Sequence, residues 1–109
     1  MCIRDRHNDT PVTPISPLMD VFSAVNRLTS SGKVLGPDQR IDVMEALRGV
    51  TINGAYMQRL EDKIGSLEKG KLADMVILDK DPTKVDPVKL KDIMVEETIV
   101  GGNTVYKRA

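Results

Sequence analysis

Apolar positions in the first half of the chain repeat with the period of an α-helix. They are Leu18, Val21, Phe22, Val25 and Leu28. This spacing predicts one helix, with Ser16 as its N-terminal cap, Pro17 in its first turn and residues 30–32 as its end. The three prolines within residues 10–17 predict a loop before that helix.

A second apolar pattern predicts two short helices in tandem. The first of them carries Met44, Ala46, Leu47 and Val50. Asp42 and Glu45 have the spacing of a capping box at its start. Thr51 is predicted to cap the second helix. The apolar positions of that helix are Ile52, Ala55, Tyr56 and Met57.

Beyond Gly65 the pattern changes from helical to extended. The uninterrupted apolar run at residues 75–78 is short and rich in β-formers, so it predicts a buried strand. Residues 88–92 predict a single helical turn. Residues 93–100 and 104–106 predict a β-hairpin, because two glycines and an asparagine separate them. Helices therefore precede strands, which indicates an α+β chain made from pieces of two structural units.

Composition narrows the class of protein. The 109 residues are 40% hydrophobic and 29% charged with a formal net charge of zero, which is typical of a soluble globular protein. With two Tyr, one Phe and no Trp we predict no nucleic-acid partner. No run approaches the roughly 20 apolar residues of a membrane span, so we predict no membrane partner. Cys2 is the single cysteine, which excludes an internal disulfide and favours a reducing, cytoplasmic setting.

The first six residues stand apart from the rest. The codons ATG TGT ATA AGA GAC encode residues 1–5, which resembles the end of a transposon adapter used in preparing sequencing libraries. We therefore leave residues 1–6 out of the fold prediction, with an ordinary short strand as the alternative. On this interpretation the natural sequence starts near His7, and the chain is expected to be a piece of a longer protein.

A glycine-punctuated loop in the second half resembles a known family. The run Gly65-Ser66-Leu67-Glu68-Lys69-Gly70-Lys71-Leu72-Ala73-Asp74, followed by an apolar strand, resembles the closing segment of the amidohydrolase superfamily. Residues 45–47 and 51–55 are similar to the paired helices of those enzymes. Residues 7–12 and 24–27 resemble the family 3 type, in the branch that includes N-substituted formamide deformylases. Asn8 departs from the serine that is common in that branch.

The resemblance implies a composite architecture. In such enzymes a (β/α)₈ barrel carries the active site, and a small β-sandwich is assembled from both ends of the chain. A whole barrel needs about 250 residues, so the predicted fold class is an α+β fragment. Residues 7–60 would form the tip of the last barrel strand with its helices, and residues 61–109 the C-terminal portion of the sandwich.

The resemblance also implies metal-dependent chemistry. One or two divalent metals, predicted to be Zn²⁺, would activate a water, and a carboxylate would pass its proton to the departing nitrogen. Asp9 is the predicted catalytic carboxylate and a candidate metal ligand. Without the resemblance, Asp9 is better explained as the start of an Asx turn before Pro11. The other ligands are expected outside this sequence, so the chain alone is expected to bind no metal tightly.

His7 and Arg27 are the candidate substrate contacts. The alternatives are an exposed loop histidine without a role and a solvated charge at a helix end. Gly65 and Gly70 are interpreted as turn residues, and Asp74 as an anchor for neighbouring backbone amides. Nucleotide binding is not predicted, because the run lacks the Ser/Thr ending of a phosphate loop and precedes a strand.

The predicted function belongs to a larger enzyme. That enzyme would be a hydrolase acting on carbon–nitrogen bonds other than peptide bonds, with a small-molecule amide as substrate, and the isolated chain is expected to be inactive. A related reaction on the same metals, such as deamination or opening of a cyclic amide, stays open, as does a homo-oligomer. The alternative from another class is a non-catalytic β-sandwich-type interaction or structural module.

Overall fold

The computed structural model describes residues 9–109, which form a small α+β arrangement. Its α-helices are α1 (Pro17–Asn26), α2 (Val43–Gly49) and α3 (Ile52–Met57). Two 3₁₀ helices span Pro37–Gln39 and Pro87–Asp92. The strands are β1 (Met75–Leu78), β2 (Val95–Val100) and β3 (Asn103–Lys107). The predicted adapter-like residues 1–6 lie outside this range.

Helix α1 begins as predicted and ends early. The Ser16 hydroxyl accepts a hydrogen bond from the backbone N–H of Met19 at 3.3 Å, which confirms the cap. The predicted end at residues 30–32 is wrong, because Arg27 adopts a left-handed conformation with φ of 54°. Its backbone N–H still donates to the carbonyl of Ser23, and Leu28 then pairs with Val34 in an isolated antiparallel bridge.

The tandem helices α2 and α3 are confirmed, but only one of their predicted caps is. A carboxylate oxygen of Asp42 accepts from the backbone N–H of Glu45 at 2.9 Å. The predicted Thr51 cap is wrong. Its hydroxyl donates backward to the carbonyl of Leu47 at 2.7 Å, and it makes no capping bond with α3. A threonine hydroxyl can satisfy the end of the preceding helix as easily as the start of the next one.

The strands form an antiparallel sheet in the order β1-β2-β3. Met75 lies opposite Ile99, and Thr98 lies opposite Tyr106. The predicted hairpin is confirmed. Gly101 and Gly102 connect β2 to β3 with φ of 56° and 82°, and tight two-residue hairpin turns of the primed type need positive φ at both positions.

Strand β1 is not the buried strand that its apolar run predicts. Met75, Val76 and Ile77 are 37%, 51% and 46% exposed. No residue of β1, β2 or β3 reaches full burial, and every residue of β3 is exposed. The apolar run shows only that the strand is compatible with burial. Burial itself requires layers packed on both faces of the sheet, so the run alone does not predict it.

The hydrophobic core lies between α1, α2 and the segment that leads into β2. Its buried members are Val21, Phe22, Ala24, Val25, Ala46, Leu90 and Ile93. Buried Asn26 ties the two sides together, since its side-chain amide donates to the carbonyls of Phe22 at 3.0 Å and Pro87 at 2.8 Å. The core therefore joins residues on both sides of the boundary predicted at 60/61, a boundary that stays a prediction.

The helices of residues 9–109 are all too short or too polar to traverse a lipid bilayer.

Candidate functional site

Asp9 occupies an exposed turn at the start of the described chain. Its φ is 50°, a conformation that Asp tolerates better than most residues. The backbone N–H of Val12 donates to the Asp9 carbonyl at 2.8 Å, and the Thr10–Pro11 peptide bond inside the turn is cis. Residues 9–12 thus form a backbone turn that contains Pro11. The predicted Asx turn, which needs a bond to the Asp9 side chain, stays a prediction. His7, the other candidate in this segment, lies outside the described residues.

Arg27 holds the loop that follows α1. Its Nε donates to the carbonyl of Leu35 at 2.9 Å, and its Nη2 donates to the side chain of Gln39 at 3.3 Å. The Arg27 carbonyl accepts from the backbone N–H of Leu35, also at 2.9 Å. These contacts are structural, and the structure does not test the predicted substrate contact.

Two polar residues around α1 escaped the sequence interpretation. Arg40 donates from Nε to the carbonyl of Asn26 at 3.0 Å, which places a cation at the negative C-terminal end of α1. Asn26 itself links α1 to Pro87. A signal for Asn26 existed, because it extends the apolar stripe of α1 with an amide. No local sequence pattern around Arg40 predicts its bond to Asn26, which lies 14 residues earlier at the end of α1.

The loop of residues 66–71 carries a hydrogen-bonded charge cluster. Lys71 Nζ lies 3.0 Å from a carboxylate oxygen of Glu68 and 2.7 Å from the hydroxyl of Ser66. Ser66 also donates to Glu68. The bond from Ser66, followed by the bond and charge of Lys71, lowers the pKa of Glu68 below its ordinary value. Lys71 is largely buried, with 13% of its side chain exposed, and its ammonium group is paired with Glu68 and Ser66 of the same loop.

Gly65 and Asp74 fix both ends of the same loop. A side chain at Gly65, whose φ is 92°, would come within 2.8 Å of the Ala55 side chain and 2.9 Å of the Ile52 backbone. The loop can therefore lie against α3 only with glycine there. Asp74 accepts from the backbone N–H of Gly101 at 2.8 Å, as predicted for an anchor of backbone amides. This loop joins α3 to the hairpin turn.

The metal-binding side chains of residues 9–109 are not grouped as a metal centre. Across residues 9–109, no three His, Cys, Asp or Glu side chains come close enough together to hold an ion. Metal centres in proteins commonly need three or four such ligands. Asp9 is thus not accompanied by further ligands in the part of the chain that the structure describes.

A comparison with known families decides the relationship. The model of the Amidohydrolase family matches residues 6–106, which is most of the chain and includes the loop at residues 65–74. The chain belongs to the amidohydrolase family. The resemblance inferred from that loop is confirmed, and members of this family are generally metal-dependent.

Individual amidohydrolase relatives align with nearly the whole of this chain, but the alignment covers only a small part of each relative's own length. The N-substituted formamide deformylase of Arthrobacter pascens is 37% identical over 101 residues, which are 93% of this chain and 19% of that protein. YtcJ of Bacillus subtilis, which is named an amidohydrolase, is 30% identical over 105 residues, 94% of this chain and 20% of that protein. The chain thus spans about a fifth of the length of these relatives.

A solved amidohydrolase structure shows the same fold in this region. The amidohydrolase from Thermotoga maritima superposes with a TM-score of 0.63 at 27% identity, covering 92% of this chain and 22% of that one. The helices, the three-stranded sheet and their packing are therefore those of an amidohydrolase segment.

Proposed function

We propose that this chain is the C-terminal part of an enzyme that hydrolyses a carbon–nitrogen bond other than a peptide bond in a small-molecule amide. The family match over residues 6–106 carries the proposal, and the 37% identity to a protein named a formamide deformylase suggests N-substituted formamides as substrates. The (β/α)₈ barrel, the composite β-sandwich, the cytoplasmic setting and a homo-oligomer remain predictions within it.

The exposed sheet supports the proposed sandwich. Val76, Val100 and Tyr106 are each at least half exposed, and the strand register places them on one face of a sheet that has no buried residue. A second sheet packed on such a face would remove these side chains from water, as in other β-sandwiches. Strands from outside the matched segment would supply it.

Asp9 is the residue that this chain would contribute to the reaction. A water oxygen adds to the amide carbon, the carbon–nitrogen bond breaks, and the nitrogen leaves as an amine; an N-substituted formamide gives formate and the amine. Asp9 would take a proton from the water and deliver it to that nitrogen. The exposed position of Asp9, and its place within residues 7–12, which resemble the formamide deformylase branch, support this role. A divalent metal, predicted to be Zn²⁺, would need ligands from outside residues 9–109.

A chimera tests the proposal. Residues 6–106 replace the matching segment of the Arthrobacter pascens deformylase, and release of amine from an N-substituted formamide is measured. We expect activity in the chimera and none in the isolated chain. Asp9→Asn should lower kcat by roughly 10²- to 10⁴-fold, the usual contribution of a general acid–base group. Asp38→Asn, at an exposed position in Pro37–Gln39, is the matched control and should leave kcat unchanged.

Two outcomes would contradict this proposal. A folded chimera without deformylase activity would show that N-substituted formamides are not the substrates. An active chimera in which Asp9→Asn and Asp38→Asn have the same kcat would show that Asp9 takes no part in the reaction.

The same chimera separates the two interpretations of Arg27. Arg27→Lys raises KM if the guanidinium contacts substrate, and it lowers only the unfolding midpoint if the guanidinium only holds the loop after α1. His7→Ala is compared in the same way.

A further inference from the structure

Two apolar side chains that follow Asp9 take no part in the hydrophobic core. Val12 is 78% exposed and Ile15 is 77% exposed, the largest values among the large hydrophobic residues that the structure describes. Neither belongs to the core or to the apolar side chains packed against it. Because apolar surface is disfavoured in water, each of them gains free energy when an apolar group covers it.

The turn at residues 9–12 holds Val12 beside Asp9. The backbone N–H of Val12 donates to the carbonyl of Asp9 at 2.8 Å. This is the bond between the first and last residues of a β-turn, and such a turn keeps their Cα atoms within about 7 Å of each other. Ile15 lies beyond the turn, next to Ser16, the cap of α1. Of two similarly exposed side chains, Val12 is therefore the one that a backbone bond ties to Asp9.

The proposed reaction gives the surroundings of Asp9 a defined ligand group. A carboxylate that delivers a proton to the departing nitrogen has to come within hydrogen-bond distance of that nitrogen. In N-substituted formamides, the compounds in the name of the Arthrobacter pascens relative, the acyl group is always formyl. The substituent on nitrogen is the part that differs between such compounds, and it begins at the atom that Asp9 would protonate.

The segment that contains the turn lacks a counter-ion for a charged substituent. Residues 10–19 include no Lys, Arg, Asp or Glu. Asp9 itself carries a negative charge, which repels a carboxylate on the substrate. An anionic substituent placed here would lose hydration without gaining a partner, whereas an apolar one would cover Val12.

We propose that Val12 contacts the substituent on the substrate nitrogen and selects apolar substituents over anionic ones, so that the substrates are N-alkyl or N-aryl formamides. This inference rests on the proposed function, because the proposed reaction is what brings the nitrogen to Asp9. The isopropyl group of Val12 carries no hydrogen-bonding atom, so it recognises the substituent through apolar contact alone.

Selectivity between two substrates tests this contact in the chimera with the Arthrobacter pascens deformylase. N-propylformamide and N-carboxymethylformamide have substituents of similar size and differ in charge, and kcat/KM is measured for each. Val12→Asn replaces apolar surface with an amide that can donate to a carboxylate. It should lower the ratio of kcat/KM, propyl over carboxymethyl, by about tenfold or more. Ile15→Asn is the matched control, because it makes a similar change at an equally exposed position beyond the turn, and it should leave the ratio unchanged.

Val12→Ala tests the same contact without adding a polar group. Loss of the methyl groups should lower kcat/KM for N-propylformamide by about tenfold. The value for N-methylformamide, which offers less surface to cover, should fall by a smaller factor. The urea midpoint is recorded for every variant, because a residue that only supports the fold changes the midpoint and leaves both ratios as they are.

Three results would overturn the inference. Val12→Asn and Ile15→Asn could shift the propyl-to-carboxymethyl ratio equally, which would show that the turn gives Val12 no special position. Both Val12 variants could lower kcat/KM for all three compounds by the same factor, which would show that Val12 supports Asp9 or the fold and not the choice of substituent. Both could leave every value unchanged, which would show that Val12 does not touch the substrate.

The proposed function fails separately from this inference. A folded chimera that hydrolyses none of these compounds contradicts the proposed reaction. The rise of its urea midpoint with each compound then measures binding, since a ligand of the native state stabilises that state. N-propylformamide should raise the midpoint more than N-carboxymethylformamide, and Val12→Asn should abolish the difference; equal shifts contradict the contact. An active chimera whose selectivity ignores Val12 contradicts the contact alone.

Discussion

The helical region and the sheet of this molecule differ in what they bury. In the helical region Val21, Ala46 and Leu90 are wholly removed from water, whereas in the sheet Val76 is 51% exposed and Val105 is 63% exposed. The helices are held by apolar packing. The sheet is held by its backbone ladder, by the Asp74 anchor and by the hairpin turn, and Leu78 of β1 also packs against the helical core. Two regions of one small chain can therefore be stabilised by different interactions.

The largest expected difference comes from removing side-chain volume in each region. Leu90→Ala deletes a fully buried side chain at the contact between α1 and Pro87–Asp92, and should lower the free energy of unfolding by about 2–5 kcal/mol. Ile77→Ala, in half-exposed β1, should cost about 1 kcal/mol. Urea unfolding of both variants measures this. Equal losses would show that the sheet depends on packing as much as the helices do.

A smaller effect is expected where the two regions are joined. Gly65→Ala puts a side chain against the Ile52 backbone at a φ of 92°, and should cost about 2–4 kcal/mol. Gly70→Ala is the control, because its φ of 96° is similar and its surroundings are open. It should cost about 1–2 kcal/mol, from the backbone conformation alone. If both variants melt alike, the loop does not press on α3.

The smallest effect concerns acid stability of the loops beside β1. Hydrogen bonds from the side chain and backbone of Thr83 lower the pKa of Asp81, and the Ser66 bond lowers that of Glu68. A carboxyl whose folded pKa is depressed stabilises the fold above its unfolded pKa, near 4, and loses that contribution as the pH falls through the folded value. The gain should be small, since both groups are exposed.

Urea midpoints at neutral pH and at about pH 3 measure this acid dependence. The double variant Asp81→Asn with Glu68→Gln should lose less stability on acidification than the unsubstituted chain. Thr83→Val keeps the Asp81 carboxyl but removes the strongest bond to it, so it should also reduce the loss. An unchanged pH profile in both variants would contradict the assignment.

Features set by neighbouring residues could be predicted from the sequence. The caps at Ser16 and Asp42 and the Gly101–Gly102 turn depend on chemistry within about four residues, and each is confirmed. The family could be identified from the loop at residues 65–74, because its glycines and Asp74 have fixed structural tasks. Asp9 could be named as a candidate only through that resemblance, and its role stays a prediction.

Features set by distant contacts could not be predicted. The burial of β1 depends on what lies over its faces, which the apolar run at residues 75–78 does not contain. Helix α1 ends early at Arg27, whose side chain donates to Leu35 and Gln39, residues that lie beyond the end predicted for the helix.

The bond from Asn26 to Pro87 has a consequence for synthesis on the ribosome. It spans 61 residues, and the core that surrounds it closes only when Leu90 and Ile93 have been made. Loop closure over such a distance costs conformational entropy before packing repays it. Helix α1 is therefore translated before the segment that carries Leu90 and Ile93, and this core can form only after that later segment has been made.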